Sequence, residues 1–353
     1  MNKKILFISH QLTRTGAPLV LLNMIQCFQD FGDLIYVISL SDGELRPALE
    51  QLGIPVTIMP HPSAAADQFV GIFQKFDLVI VNTLDAHEAI PICIQAGVPT
   101  LWWIHEHAGY FDYYRDILPT PAELTDNIHV FGVSPLTHKL VIEKAGYTDA
   151  GLLPFGVPDY STRFDFHHRK PDTPVRFLCI GLYAFVKGQD LLCDAIRMLP
   201  EGLRNKCQFD FYGDLSDIDP KIHSALEIAM QDFSNIQVHD SLPHENLMQI
   251  ISDVDYVIIP SRAEPMSAVA IEGMILGVPS IISDVCGVAY WMQNEENALI
   301  FPCSDSKALS SQIQKAVLLA NSSEYEKLSA SARTIYDEYF SMEAFAESIR
   351  RIM

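Results

Sequence analysis

Short apolar runs recur along this chain at intervals that leave room for one helix each, and that rhythm constrains the fold more than any other feature. In the first half the runs are KILFIS (4–9), LIYVIS (34–39), VTIM (56–59), LVIVN (78–82), TLWWIH (100–105) and HVFGVS (129–134). Helical patterns fit between them, as in PLVLLNMIQCFQDF (18–31), where residues 19, 22, 25 and 28 are apolar. Strands apolar on both faces, alternating with amphipathic helices, predict a parallel sheet covered on both sides. The stretch from Pro154 to Pro174 breaks the rhythm with Gly156, Pro158, a His-His-Arg-Lys cluster and Pro171, and reads as a linker. The rhythm resumes with RFLCIG (176–181), QFDFYG (208–213), IQVHD (236–240), DYVIIP (255–260) and SIIS (280–283). The expectation is two α/β domains with their carboxyl-end loops facing a common cleft. A helical tail, Ser329 to Met353, is expected to return to the first domain. A length of 353 residues suits two domains.

Composition excludes several classes. The chain is 49% hydrophobic and 19% charged, which describes a well-cored protein rather than a disordered one. It carries 24 basic against 44 acidic residues, a net charge of −20, with no basic run. Such a surface argues against nucleic-acid partners and allows at most peripheral contact with a membrane. The opening MNKKILFISH begins directly with a core-like strand and lacks signal-peptide anatomy, and no apolar segment is long enough to span a bilayer. Seven cysteines, widely spaced and without C-x-x-C, fit a reduced, cytoplasmic setting.

The chemistry concentrates in PSRAEPMSAVAIEGMILGVP (260–279), which follows a buried strand and precedes another. Two carboxylates, Glu264 and Glu272, lie eight residues apart around a helix start, with Pro265 suited to the first helical turn. The amides there form an anion site, beside which a glutamate would repel the anion. A sugar diphosphate resolves the conflict: amides take phosphate oxygens and glutamates take hydroxyls. The other reading is an exposed helix with scattered acids. Lys187, on the loop after RFLCIG, can neutralise a diphosphate as a point charge or be a solvated loop lysine. Gly16 in SHQLTRTGAPLVLLN (9–23) lets backbone approach a ligand or makes an ordinary turn, with Pro18 starting the helix. Gly213 and Asp214 close another strand. His105, Glu106 and His107 end TLWWIH but show no third ligand and no H-E-x-x-H pattern, so no metal site is expected. A polar group at the cleft or a structural histidine are the alternatives for His105. No G-x-G-x-x-G, P-loop or G-x-S-x-G is present.

Taken together these elements resemble retaining glycosyltransferases of family 4, which have the GT-B fold: α/β, two Rossmann-like parallel-sheet domains facing a central cleft. The motifs that carry the resemblance run in order over nearly the whole chain. They are TGAP (15–18), WWIHEH (102–107), VSPLTHKLVIEKAG…LLPFGVP (133–158), IGLYAFVKGQDLL (180–192), FYGD (211–214), PSRAEP…AIEGMILGVP (260–279) and NALIFP (297–302). The resemblance implies an acceptor-side domain over 1–158, a donor-binding domain over 159–332 and a terminal helix over 333–353 that crosses back. It also implies roles. Glu264 would contact hydroxyls of the donor sugar and Glu272 the ribose. The amides of Met266, Ser267 and Ala268 would face the sugar and diphosphate, which Lys187 would hold while stabilising the leaving group. Gly16 would bring backbone to the same phosphate, Gly213 belongs to the donor side, and His105 would sit by the transferred sugar.

Two positions depart from that family. Leu182 stands where an arginine usually follows the strand's glycine, leaving Arg14 or Arg262 as substitutes for a second cation. In CGVAY (286–290), Tyr290 replaces an expected acid. The implied activity is metal-independent, retaining, hexosyl-type transfer from a nucleoside diphosphate sugar, a substrate rather than a cofactor, to a glycan, lipid-linked or small acceptor in polysaccharide biosynthesis. The rival is a catalytically silent member that binds a glycan or serves as a partner subunit. A sugar-nucleotide epimerase finds no support in the paired glutamates.

Overall fold

A computed structural model describes residues 2–164, 166–169 and 173–353. The chain forms two compact units, Met1–Pro158 with Met342–Met353, and Asp159–Ser341.

The first unit is built on a seven-stranded sheet in the order β3-β2-β1-β4-β5-β6-β7. Its strands are β1 (Lys4–Ser9), β2 (Leu34–Ser39), β3 (Val56–Ile58), β4 (Leu78–Asn82), β5 (Thr100–Ile104), β6 (Ile128–Gly132) and β7 (Gly151–Leu152). Every pairing is parallel. Strands β4 and β5 are buried at all five positions, as expected of central parallel strands covered on both faces. Two adjacent tryptophans on β5 point to opposite faces, and each indole finds a carbonyl. Trp102 Nε1 donates to Thr83 O and Trp103 Nε1 to Leu153 O, both at 2.9 Å. The terminal helix Met342–Ile352 packs on this unit through Phe345, which stacks on Trp103, and through Arg350, whose guanidinium lies 4.4 Å over Phe31.

The second unit has a six-stranded parallel sheet in the order β10-β9-β8-β11-β12-β13. These strands are β8 (Val175–Ile180), β9 (Cys207–Tyr212), β10 (Ile236–His239), β11 (Tyr256–Ile259), β12 (Ser280–Ser283) and β13 (Leu299–Phe301). Phe177 stacks on Phe209 at 5.0 Å and on Tyr256 at 5.6 Å, so one aromatic row crosses three neighbouring strands. In each sheet the strand order reverses once, between β1 and β4 and between β8 and β11. Ligands of doubly wound sheets bind beyond the carboxyl ends of strands at that reversal.

The segment read as a linker is partly built into the second unit. That segment also includes Asp165, Lys170, Pro171 and Asp172, which lie outside the described residues. His167 and Arg169 are anchored on Asp255 at the start of β11. Gly277, at φ +71°, accepts the ring of Phe166 so closely that a Cβ there would lie 2.1 Å from it. The tail also differs from one continuous helix. Ser323–Ile335 is followed by a wide turn over Tyr336–Phe340 and extended Ser341 before the last helix. Residues 333–341 belong to the second unit, where Arg333 pairs with Asp159 at 2.7 Å and donates to Ile275 O at 2.9 Å.

Candidate active site

At the reversal in the second unit, β8 and β11 deliver the principal side chains. After β8 the chain makes a tight turn over Phe185–Lys187 and enters the helix Gln189–Arg197 through Gly188, at φ +74°. That turn is pressed against the end of β11. A Cβ on Gly188 would sit 2.0 Å from Pro260 O, and Arg262 N donates to Val186 O at 2.7 Å. Only glycine permits this approach, and it brings Lys187 to Glu264. Lys187 Nζ donates to Glu264 Oε2 at 2.5 Å, with Ser261 Oγ at 3.4 Å from the same oxygen. Burial alone would lower the Lys187 pKa, but the Glu264 charge and hydrogen bond outweigh it and hold the ammonium above its ordinary value. The ammonium has three donors, so one bond to Glu264 leaves capacity for a second acceptor.

The helix after β11 begins at Ala268, not at Pro265. Glu264 pairs in an isolated bridge with Cys286, and Gly287 N donates to Glu264 O at 2.8 Å, so the backbone there is held extended. Ser267 is the N-cap, its side chain accepting from Ala270 N at 3.3 Å. Among the described residues the amides of Met266, Ser267 and Ala268 have no hydrogen-bond acceptor. A cation, three open amides and a carboxylate thus meet at a helix N-terminus.

Glu272 lies further along the same helix, Ala268–Ile275, and accepts from His244 Nε2 at 2.7 Å. Sequence reasoning missed His244, since nothing in PHENL separates it from a solvated helix start. Gly213 closes β9 against the end of β8, where a Cβ would lie 2.3 Å from Gly181 O. Arg262, a candidate second cation, is already engaged. It makes two 2.8 Å bonds to Asp190 and stacks 3.9 Å over the Phe185 ring. Leu182 and Tyr290 are 61% and 53% exposed, so neither departure from the family pattern is absorbed by the core.

In the first unit the strand ends carry a second polar cluster. Helix Gly16–Asp30 starts two residues before Pro18, and Gly16 is exposed, with no atom within 4 Å of an added Cβ. Nothing steric in this unit demands glycine there. Arg14 is likewise exposed. Thr83, after β4, is held at φ +81°, with its amide donating to Trp103 O at 2.8 Å and its hydroxyl 3.1 Å from His10 Nδ1. Glu106, 7% exposed, accepts from Leu84 N at 3.0 Å and His105 N at 2.9 Å, tying the ends of β4 and β5 together. Burial pushes the Glu106 carboxyl up to about 8 against the pull of those amides. His105 packs edge-on to Trp103 at 4.4 Å, and its Nε2 is buried without a partner among the described residues. Burial and then the neighbouring His10 lower its pKa to about 3, so the ring is neutral. His107 instead caps the helix Ala108–Tyr114, accepting from Gly109 N. Among the described residues no group of three or more His, Cys, Asp or Glu is placed to hold a metal ion, and no helix is long and apolar enough to cross a membrane.

Two parallel sheets with their polar clusters at the carboxyl ends are the architecture of GT-B glycosyltransferases. Residues 161–335 match the family model "Glycosyl transferases group 1" and residues 1–125 match "Glycosyl-transferase family 4". The chain belongs to the family 4 type of glycosyltransferase. It is 24% identical to an uncharacterized glycosyltransferase of Methanocaldococcus jannaschii over 50% of this chain and 46% of that protein. It is 22% identical to a glycogen synthase of Mycobacterium tuberculosis over 74% of this chain and 60% of that one. The chain therefore spans about half the length of the curated relatives it matches. Among solved structures, Anabaena HepE in complex with UDP and glucose superposes with a TM-score of 0.80 at 17% identity, over 99% of both chains, a likeness of fold.

Proposed function

We propose that this chain transfers a hexose-type sugar, with retention of configuration, from a nucleoside diphosphate donor to a glycan, lipid-linked or small acceptor. The observation that carries the reading is the Lys187–Glu264 pair beside the open amides of residues 266–268, at the point where the strand order reverses. In this reading Lys187 and the amides stabilise charge growing on the departing diphosphate, which is where preorganised donors accelerate group transfer most. Glu264 orients the sugar through its hydroxyls, and Glu272 accepts from the ribose. Gly16 and His105 are the first unit's proposed contribution, and the unpartnered Nε2 of His105 supports a ligand-binding role for that ring. No bound metal is needed, because Lys187 and the helix N-terminus occupy the role a divalent ion would fill. HepE bound UDP and glucose, and another relative is named a glycogen synthase, which support UDP-glucose as the first donor to try and a role in polysaccharide biosynthesis.

The test is turnover of UDP-, GDP- and ADP-sugars with EDTA present, the anomeric configuration of the product being read by proton NMR. Transfer that needs an added divalent ion, or that inverts the anomeric centre, overturns the corresponding part of the proposal. A second reading, a silent member that binds a glycan or partner, is favoured by exposed Leu182 and by the commitment of Arg262 to Asp190. It predicts a folded protein that turns over no sugar nucleotide.

A further inference from the structure

Each glutamate of the candidate donor site is paired with a cation of its own, and the two cations differ in kind. Glu264 is met by Lys187, which stays charged throughout the neutral range. Glu272, 9% exposed, is met by His244, the first residue of the helix His244–Ser252. His244 Nε2 lies 2.7 Å from Glu272 Oε1, while Oε2 accepts no hydrogen bond from the described residues. The imidazole also lies tilted against the ring of Tyr160, with centroids 5.2 Å apart. The remaining charged neighbours are Glu245 on the same helix and Arg163, which reaches Glu245 at 3.8 Å.

We propose that His244 is a positioning and charge-compensating residue of the nucleotide site, holding Glu272 for the ribose and cancelling its charge beside the diphosphate. The inference rests on the donor-site reading above. A carboxylate oxygen has lone pairs for both the imidazole and a hydroxyl, so the histidine bond fixes the side chain without closing it to ligand. Without a cation, Glu272 would repel the anion that the neighbouring amides attract. The bond to Glu272 comes first among the influences raising the His244 pKa above its ordinary value, ahead of opposing burial. Below that raised pKa the pair is neutral overall, and above it the pair carries a net negative charge. Affinity for a sugar diphosphate therefore falls as pH rises on the alkaline side of about 6.5.

The experiment is calorimetric titration of UDP-glucose, ADP-glucose and GDP-mannose into the full chain between pH 6 and 8.5, for the parent, His244→Gln and His244→Ala. The diphosphate of these donors does not titrate in that window. The parent is expected to lose about 3–10-fold in affinity across it as the imidazole gives up its proton and Glu272 loses its counter-charge. His244→Gln, which keeps a donor without a titrating charge, should give a flat profile near the parent's alkaline value. His244→Ala should be weaker than the parent at pH 6. The inference is overturned if His244→Gln keeps the parent's slope, or if His244→Ala binds as tightly as the parent at pH 6; the donor-site reading survives either result. A folded parent that binds none of the three donors overturns both.

Discussion

The two ends of strand β11 carry the same pairing, a carboxylate met by a cation, in two states of completion. Asp255, at the start of the strand, uses both oxygens. His167 Nε2 lies 3.0 Å from one, and Arg169 Nη1 and Arg176 N lie 2.6 and 2.8 Å from the other. The Arg169 side chain is 4% exposed and is further bound to Asn321 and Thr173 O. Glu264, past the other end, engages one oxygen with Lys187 and Ser261, and its Oε1 accepts nothing from the described residues. Lys187 is 28% exposed, with donors to spare. Saturation marks an anchor and incompleteness marks a site. The first cluster holds the segment before β8 onto the sheet, and the second keeps a carboxylate oxygen and ammonium donors for the proposed ligand.

The sharpest way to break this contrast is to remove one member from each end and ask what is lost. Lys187→Ala and Glu264→Ala should each lower turnover by about 10²–10³, the usual loss for one electrostatic contact to a developing charge, while the protein stays folded. Steady-state rates with a sugar nucleotide check this, and rates within threefold of the parent would contradict it. Gly188→Ala forces a methyl towards Pro260 O in a left-handed backbone and must displace Lys187. A displacement near 1 Å can cost about 10²-fold in rate, so this variant should approach the lysine deletion without touching its charge.

Asp255→Asn should do the reverse. Leaving Arg169 buried and unpaired should cost about 3–5 kcal/mol of stability in urea denaturation, with nucleotide affinity of the folded protein unchanged. The Asp255 pKa is lowered despite burial, by the bond to His167, the Arg176 amide and Arg169. Its stabilisation is therefore complete above the ordinary carboxylate range and is lost as pH falls below it, so the variant should flatten the parent's acid limb. A subtler split separates the two site glutamates. Glu272→Ala should raise Kd more than it lowers kcat, because a ribose contact is the same in ground and transition states.

A pH slope of the opposite sign belongs to the first unit. Glu106 has its pKa raised to about 8 by burial, so the folded state holds a proton that the unfolded state has released. Its contribution is full below about 4.5 and declines as pH rises towards 8. Glu106→Gln should remove that slope from the unit's unfolding free energy.

Much of this was legible in the sequence, for a physical reason. Strands buried on both faces must be nearly all apolar, so LVIVN and SIIS announce themselves, whereas β7 and β13, of two and three residues, are too short for any pattern. The proposed donor loop is legible because its chemistry is local: Pro260, Glu264, Ser267 and Glu272 lie within thirteen residues. The helix start was misplaced because Pro265 satisfies the rule for a first turn, while the pairing of Glu264 with Cys286, which forbids it, joins residues 22 apart. His244, 28 residues from Glu272, and the double commitment of Arg262 were hidden for the same reason. Proline and charge patterns mark where a chain turns, but only the folded sheet decides which strand ends become neighbours. The basic cluster at 167–169 reads as linker because its partner, Asp255, lies more than eighty residues away in sequence.

In the proposed function the open end of β11 binds the diphosphate of a sugar nucleotide through Lys187. Calorimetry of UDP-, GDP- and ADP-sugars with the parent, Lys187→Ala and Asp255→Asn, in EDTA at constant pH, tests it most directly. The parent is expected to bind at least one donor, Lys187→Ala to bind it at least tenfold more weakly, and folded Asp255→Asn to match the parent. A folded parent that binds none of them, or a Lys187→Ala protein that binds as tightly as the parent, would contradict it.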